Sequence, residues 1–537
     1  MNRNRLLNFS FFILLIIYNF FFWKENLGLN IFLFSGMLVM IMKWAYPESF
    51  KSGPVRVTLI GTALSGIMVL YFGSAAAKFA HIVSLVLFAA FVHEKDMRSV
   101  FFALLHMIRH FLNVPGNFLR RREELLSNRP KAKFLFRIFR LSIIPILVSL
   151  VFCLIYSGAN PVFGKYTTDL WSEINKLFEN LFEKVSFVRI LFLLFGSILI
   201  SGIVFRAEVS VFLLQDLSFA DKLERVKQIR RNKNAAISGI TRSPIYPNSI
   251  PPFKSIALKN ENRSGIILLC SVNILLLLEN LLDAQYLWFG FQVPENFSLK
   301  AYVHEGTGLL ILSILMSITI LLYYFRKNQN FYPKNKALRI LAYAWIAQNI
   351  VLSFSVFLRT YHYIDFHGLA YRRIGVDIFL LLTMIGLVTL YIKIRDIRSS
   401  YFLVRLNTWS VYAAIVFLGF VNWDAWIAKY NLNHWNKGEV DIDFYLQLSE
   451  KTLPIIYSNL DKVNAQIEAH KLNKVKWVRN LDFEKFKKRL DFRKSKFENQ
   501  YNSHSWLSFN FSDYKAYKEL KGSKLNSLPF SEELSSR

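Results

Sequence analysis

The sequence is dominated by eleven apolar runs, each about as long as the hydrocarbon core of a bilayer is thick. Lipid offers no partner to backbone N–H and C=O groups, so an open chain crosses a membrane as helices. The pattern therefore predicts an all-α, polytopic helical membrane protein with about eleven transmembrane helices and a small helical C-terminal appendage. The predicted spans lie approximately at residues 6–23, 27–45, 55–73, 75–92, 138–157, 187–205, 265–283, 305–325, 337–357, 374–394 and 403–421.

Composition agrees with a membrane protein. The chain of 537 residues is 53% hydrophobic, contains 51 Phe and carries a formal net charge of +29. In a soluble protein so much positive charge indicates nucleic acid binding. Here the charge lies in short loops beside apolar spans, where membrane orientation explains it, so membrane lipids are the expected partner and nucleic acid is not. Cys153 and Cys270 both lie inside apolar runs, which argues against a disulfide framework or a cysteine-based zinc site.

The N-terminus combines the basic residues Arg3 and Arg5 with an apolar run, as a signal peptide does. No small-x-small cleavage site follows this run. We therefore expect an uncleaved first span.

The distribution of Lys and Arg predicts the orientation. Segment 93–140 holds 11 Lys and Arg against four Asp and Glu, and segment 206–263 holds 11 against five. The positive-inside rule places both segments and the N-terminus in the cytoplasm, and the C-terminal tail on the outer side of the membrane. Arg359, Arg372 and Arg373 oppose this assignment, because they fall on the outer side.

These assignments divide the chain into four parts. Residues 1–92 form four N-terminal spans, and 93–137 form a basic cytoplasmic loop. Residues 138–421 form a seven-span core with a second cytoplasmic loop near 206–263, and residues 422–537 form a helical extracytoplasmic tail.

Two loop segments have one apolar face at helical spacing. The first, 165–186, suits a helix that lies on the outer surface or caps the bundle. The second, 96–113, suits a cytoplasmic helix that either meets anionic lipid or packs under the bundle.

Several ionisable side chains share one predicted depth, near the outer leaflet. They are Arg189, Glu279, Asp283, His304, Glu305, His362, His367 and Asp377. Three interpretations remain open: a cavity for a solute or ion, an extracytoplasmic active site with carboxylates and histidines, and interfacial anchoring with interhelical ion pairs. Anchoring is favoured, because charges near helix ends reach the interface at small cost. The two functional interpretations, a binding cavity and an active site, depend mainly on Glu279 and Asp377.

Metal and cofactor chemistry has little support. His362, Asp365 and His367 could bind zinc, but their aromatic neighbours are typical of an interfacial belt, so no metal is assigned. The sequence contains no phosphate-binding P-loop, no Gly-x-Ser-x-Gly elbow and no His-Glu-x-x-His helix. We therefore expect no cofactor and assign no catalytic residue. Deeper in the spans, Asn273, Gln348 and Asn349 are candidates for interhelical hydrogen bonds.

A polar and aromatic motif follows the last span. Its residues are Asn422, Trp423, Asp424, Trp426, Tyr430 and Asn431. With 441–454, the Asn-Pro-Val-Phe of 160–163 and the Ser-Trp segment at 505–512, it resembles the uncharacterised bacterial family called domain of unknown function 4173, which is related to 4153. The likeness covers about 138–520, and the first four spans show no matching motif.

The resemblance implies a multi-pass protein of the bacterial cytoplasmic membrane and brings no established activity or catalytic residue. Capping and interfacial anchoring are sufficient reasons for the motif residues.

The first hypothesis is a non-enzymatic envelope protein that binds or moves a small solute or supports an envelope protein partner. The alternatives are an envelope enzyme acting on a lipid-linked or periplasmic substrate, and a sensor or scaffold that uses the tail. A transporter would favour internal repeats and broken helices, and no clear repeat is present.

Overall fold

The computed structural model describes residues 3–125, 130–181, 186–206, 211–224, 255–289, 299–434, 441–472 and 482–526. Within these ranges the chain is helical and contains no β-strand, which confirms the predicted all-α fold. Backbone contacts divide it into two compact units. Unit 1 comprises Met1–Asp216, Leu418–Phe420 and Gln500–Tyr514, and unit 2 comprises Leu217–Phe417, Val421–Asn499 and Lys515–Arg537.

The described residues between 3 and 224 form nine α-helices, almost entirely in unit 1. They are α1 (Arg3–Phe22), α2 (Leu29–Ala45), α3 (Gly53–Phe72), α4 (Ala75–His93), α5 (Val100–Leu125), α6 (Pro130–Ala159), α7 (Pro161–Leu181), α8 (Phe187–Val204) and α9 (Val211–Ser218). Both helices that the loop patterns predicted are present, as α5 and α7. Asn160 separates α6 from α7 and caps α7, because its Oδ1 accepts the Val162 N–H at 3.0 Å.

The remaining helices belong mainly to unit 2. They are α10 (Ser255–Asp283), α11 (Leu299–Tyr324), α12 (Lys336–His367), α13 (Tyr371–Arg395), α14 (Ser400–Gly419), α15 (Trp423–His434), α16 (Leu453–Tyr457), α17 (Leu460–Leu472), α18 (Phe483–Ser503) and α19 (Phe511–Asn526). A π-helical turn, Ala284–Trp288, extends α10.

Among the described residues, eight helices are long and apolar enough to cross a membrane. They are α3, α4, α8, α10 with its π-helical turn, α11, α12, α13 and α14. The other three predicted spans form α1, α2 and α6, whose described apolar stretches have 10–17 residues. The protein is thus a polytopic helical membrane protein.

One predicted boundary is wrong. Helix α12 was expected to end at 357, with Arg359, His362, Asp365 and His367 in the following loop, but it continues to His367. Hydropathy falls after 357 because polar residues enter the sequence. The helix continues because ion pairing on one side and aromatic packing on the other satisfy those residues.

Interhelical amide contacts lie inside unit 2, as predicted for Asn273 and Gln348. Asn273 donates to the Leu341 carbonyl on α12 at 3.1 Å, and Gln348 donates to the Asn273 side chain at 2.8 Å. Asn349 differs from the prediction, because its amide donates to the Trp345 carbonyl one turn earlier in the same helix, at 2.8 Å. Asn273 and Gln348 therefore join α10 to α12 below the candidate site.

In unit 1 the segment Gln500–Tyr514 packs on two helix–helix loops near the start of the chain. The Leu29 N–H donates to the Phe509 carbonyl at 2.9 Å, and the Ser512 hydroxyl donates to the Tyr71 carbonyl at 2.9 Å. A Cβ at Gly28 would lie 2.5 Å from the Phe509 oxygen, so only glycine allows this approach. Late tail residues therefore contact the α1–α2 and α3–α4 loops.

Candidate functional site

The centre of the candidate site is an ion-pair cluster between α10 and α12. Glu279 and Asp283 are four residues apart, which places both carboxylates on one face of α10. The Arg359 guanidinium of α12 binds Asp283 directly and lies 3.6 Å from Glu279. The structure therefore brings together two acids and an arginine that the sequence had placed on the outer side of the membrane.

Burial differs sharply within this cluster. The side chains of Asp283 and Arg359 are 4% and 7% exposed, whereas that of Glu279 is 40% exposed. The buried pair is therefore a structural ion pair, because isolated charges in such a place are costly. Glu279 is the member of the cluster that a ligand can reach.

Helix α11 also packs beside Arg359. A Cβ added at Gly306 would lie 3.3 Å from Nη1 of Arg359, so the small residue gives the guanidinium space. Gly306 directly follows His304 and Glu305, whose side chains lie outside the described part of the structure.

His362 lies one turn beyond Arg359 on α12, close to Asp365 and the Leu287 backbone. At the same end, the Trp288 indole N–H donates to Ser355 at 3.0 Å, which fixes the π-helical turn on α12. His362 therefore lies one turn from the ion pairs, beside the π-helical turn that follows α10.

His367 lies at the C-terminus of α12 and has a different role. Its ring packs on Tyr363 with centroids 4.4 Å apart, and its carbonyl accepts Arg373 Nη1 at 3.0 Å. Arg373 also binds the Gly368 carbonyl and covers the Tyr363 ring. A cation on the last carbonyls of a helix is favourable, so Arg373 acts as a C-terminal cap.

Asp377 is not part of the ion pairs that join α10 to α12 in the described ranges. It lies on α13, one turn beyond Arg373, and its Oδ1 is buried without a hydrogen-bond partner in the described part of the chain. The predicted convergence of Glu279 and Asp377 on one cleft stays a prediction.

Arg189 lies in unit 1 and is satisfied there. Its Nε donates to Asn19 of α1 at 3.1 Å, and its guanidinium covers the Trp23 ring at 5.5 Å. These contacts join α8 to α1, which is a structural role.

A groove of about 350 Å³ opens beside Glu279 between α10, α11 and α12. Glu279 is the charged residue in its wall, and the other lining residues are apolar apart from Ser313 and Ser317. A second cavity, of about 320 Å³, lies between α11, α12 and the start of α13, beside Arg372 and Arg373. Both volumes fall in the range of small-molecule sites.

The predicted motif after the last span fixes helix α15. Asn422 caps it, since its Oδ1 accepts the Ala425 N–H at 3.2 Å. Asp424 accepts the Tyr371 hydroxyl and the Ser449 N–H. The Asn431 amide forms two hydrogen bonds with Leu369, accepting its N–H at 2.6 Å and donating to its carbonyl at 3.0 Å.

The aromatic members of this motif make ring contacts. Trp423 and Trp426 lie with centroids 5.3 Å apart, and Trp426 is 52% exposed. Tyr430 stacks on His434 at 4.1 Å. The polar members therefore hold α15 on the α12–α13 loop, while Trp426 remains available to the membrane interface.

Sequence reasoning missed a cluster of three buried histidines in unit 1. The rings of His93, His106 and His110 have centroids 5.4–6.4 Å apart. His93 donates Nε2–H to the Ile203 carbonyl at 2.9 Å, and His110 donates to the Phe205 carbonyl at 2.8 Å. The only signal in the sequence was the four-residue spacing of His106 and His110 on the apolar face of α5.

No group of three His, Cys, Asp or Glu side chains in the described ranges has the arrangement of a metal site. The histidine cluster is instead a neutral, hydrogen-bonded joint between α4, α5 and the end of α8. Burial lowers the pKa of His106 to about 4, with the nearby His110, Arg206 and Arg109 acting in the same direction. Burial also lowers the pKa of His110.

Comparisons with known proteins identify a family but no activity. No curated protein and no solved structure matches the chain significantly. The profile described as Domain of unknown function (DUF4153) matches residues 11–459. This match includes the first four spans, in which no family motif was expected, and it ends before the Ser-Trp segment at 505–512. The likeness to the 4173 family stays a prediction. The chain belongs to the DUF4153 family.

Proposed function

We propose that this membrane protein binds a small solute at the Glu279–Asp283–Arg359 cluster. The observation that carries the proposal is the unequal burial of the two acids. Arg359 and Asp283 form a closed, buried pair, whereas Glu279 is 40% exposed and forms part of the wall of a groove. A carboxylate exposed within a span carries a desolvation cost, and a ligand that pairs with Glu279 would offset that cost.

The proposal places this site in the outer half of the bacterial cytoplasmic membrane, with the N-terminus in the cytoplasm and the tail outside. Two basic segments, 93–140 and 206–263, support this orientation through the positive-inside rule. Three arginines opposed this orientation, and local contacts explain how two of them can lie on the outer side. Arg359 is neutralised by acids, and Arg373 caps α12.

Binding is favoured over catalysis. An acid–base mechanism needs two groups that reach one substrate at hydrogen-bond distance. The described contacts combine Glu279 with an arginine that already binds Asp283, and Asp377 Oδ1 has no hydrogen-bond partner among the described residues. The envelope enzyme therefore remains the second candidate, and the neighbouring His362 is the observation in its favour.

A deletion strain tests the proposal. Its lipids and periplasmic solutes should differ from those of the parent, and the intact protein should restore the parental profile. Glu279→Gln preserves the shape and removes the charge, so we expect equal amounts of protein without restoration. Glu173→Gln removes an exposed carboxylate of α7 and should restore the profile fully. Full restoration by Glu279→Gln would exclude the proposed site.

A further inference from the structure

The groove beside Glu279 runs along α11 and has apolar walls. The walls come from α10, including Val272 and Leu276, from α11, and from Trp345 and Leu352 of α12. The α11 residues extend from Leu309 to Ile320, which is about 16 Å at the rise of an α-helix. The cavity is therefore long as well as large enough for a small ligand.

The walls offer little to a polar molecule. The Ser317 hydroxyl donates to the Ser313 carbonyl at 2.9 Å, so it is already satisfied within α11. Apart from Glu279, the remaining lining is made of aliphatic side chains, Met316, Trp345 and Ser313. A hydrocarbon chain can fill such a groove without leaving polar groups unpaired.

The exposed charge decides which head group fits. Two carboxylates share one guanidinium, so the ionised cluster carries a net charge of −1. The positive member is 7% exposed and the Glu279 side chain is 40% exposed. A ligand that enters the groove therefore meets a carboxylate, and a cation complements it.

We propose that the groove binds a single-chain amphiphile whose ammonium head group pairs with Glu279 and whose alkyl chain lies along α11. This inference rests on the proposed function, because it names the ligand class of the same site. It adds two requirements, a positive head and an apolar chain, that solute binding alone does not impose.

Photo-crosslinking of the full-length protein in phosphatidylglycerol vesicles tests both requirements. The probe is a dodecylamine derivative with a diazirine at the end of its chain, and a dodecanoic acid derivative with the same diazirine is the matched control. Labelling of α11 peptides is normalised to labelling of α14, which corrects for the greater partitioning of the cation into anionic vesicles. We expect the amine to label α11 at least tenfold more than the acid.

Two variants locate the binding. Glu279→Gln should reduce labelling of α11 by the amine about tenfold, and Ser313→Phe should abolish it by filling the groove. Leu315→Phe changes an exposed residue of the same helix outside the groove and should leave labelling unchanged. A variant is scored only if it retains the thermal unfolding temperature of the parent. If Ser313→Phe disturbs folding, Glu279→Gln still tests the inference.

Equal labelling by the two probes, or unchanged labelling in Glu279→Gln, overturns the inference. Loss of labelling in Leu315→Phe overturns the assignment to the groove. If neither probe labels α11 while Glu279→Gln still fails to restore the deletion strain, the amphiphile is wrong and the solute site stands. If Glu279→Gln restores the strain, the proposed function itself has failed.

Discussion

Arg359 and Asp283 form an ion pair between α12 and α10 in which both side chains are almost completely buried. Neither residue alone indicates such a pair, because each lies near the end of a predicted span, where charges commonly reach the interface. The pair explains how α12 continues through a polar stretch. It also leaves the second acid, Glu279, as the open member of the cluster.

Removing the arginine should be costly. Arg359→Leu leaves the Asp283 carboxylate buried without its partner, and the free energy of unfolding should fall by about 3–5 kcal/mol. The combined variant Arg359→Leu with Asp283→Leu removes both charges and should recover most of this loss. Thermal unfolding of the purified protein in a neutral detergent measures both effects. Equal stability of Arg359→Leu and the parent would show that the pair does not hold α10 and α12 together.

Removing the charge of Asp377, in contrast, should not reduce stability. Its Oδ1 is buried without a described hydrogen-bond partner, so the carboxylate contributes a desolvation cost and no compensating bond. Asp377→Asn should leave the free energy of unfolding unchanged or raise it by about 1 kcal/mol. The same thermal unfolding measurement applies, with Asp283→Asn as the destabilising comparison. A clear loss of stability in Asp377→Asn would mean that a partner stabilises its charge.

The Asn431 side chain holds α15 on the α12–α13 loop through both polar groups of Leu369. Asn431→Ala leaves a buried N–H and a buried carbonyl unpaired, at a cost of about 1–3 kcal/mol each. Asn433→Ala, which removes an exposed contact to Lys462, is the matched control and should change little. Limited proteolysis within 441–472 should accelerate in Asn431→Ala alone. Similar cleavage rates in both variants would contradict this role.

The histidine cluster makes stability depend on pH. The folded pKa of His106, about 4, lies below its ordinary value of 6.5, so the unfolded chain binds protons first as the pH falls. Stability contributed by neutral His106 is therefore complete above pH 6.5 and is lost progressively towards pH 4. The unfolding temperature of His106→Phe should fall less steeply over this window than that of the parent. The exposed His434→Gln serves as the control and should keep the parental slope. An unchanged slope in His106→Phe would show that another group titrates.

The sequence predicted much of the fold because apolar length is a local property. All eleven apolar runs form helices, and the amphipathic patterns predicted α5 and α7. The end of α12 could not be predicted, because its polar residues are satisfied by contacts with α10, which are distant in sequence. The pairing of Arg359 with Asp283 could not be predicted for the same reason, because the two residues lie on different helices.

Parts of the site were beyond sequence reasoning for a related reason. Depth alone placed Arg189 with Glu279, but depth does not specify which side chains bind each other, and Arg189 binds Asn19. His93 and His110 are polar residues next to apolar segments, and only the approach of α8 supplies the carbonyls that they bind. In the motif at 422–431, the Asn422 cap depends on a residue near in sequence, whereas Asp424 and Asn431 bind Tyr371 and Leu369, which sequence reasoning could not identify as partners.

Access to position 279 is the most direct test of the central claim, that the Glu279 carboxylate opens to the outer aqueous face of the membrane. Cys153→Ser and Cys270→Ser give a background without native cysteine, to which Glu279→Cys, Leu315→Cys or Lys327→Cys is added. Intact cells are then treated with a membrane-impermeant maleimide. We predict that Glu279→Cys is labelled in intact cells, that Leu315→Cys is not labelled, and that Lys327→Cys is labelled only after permeabilisation. Labelling of Glu279→Cys only after permeabilisation, or not at all, would contradict the claim.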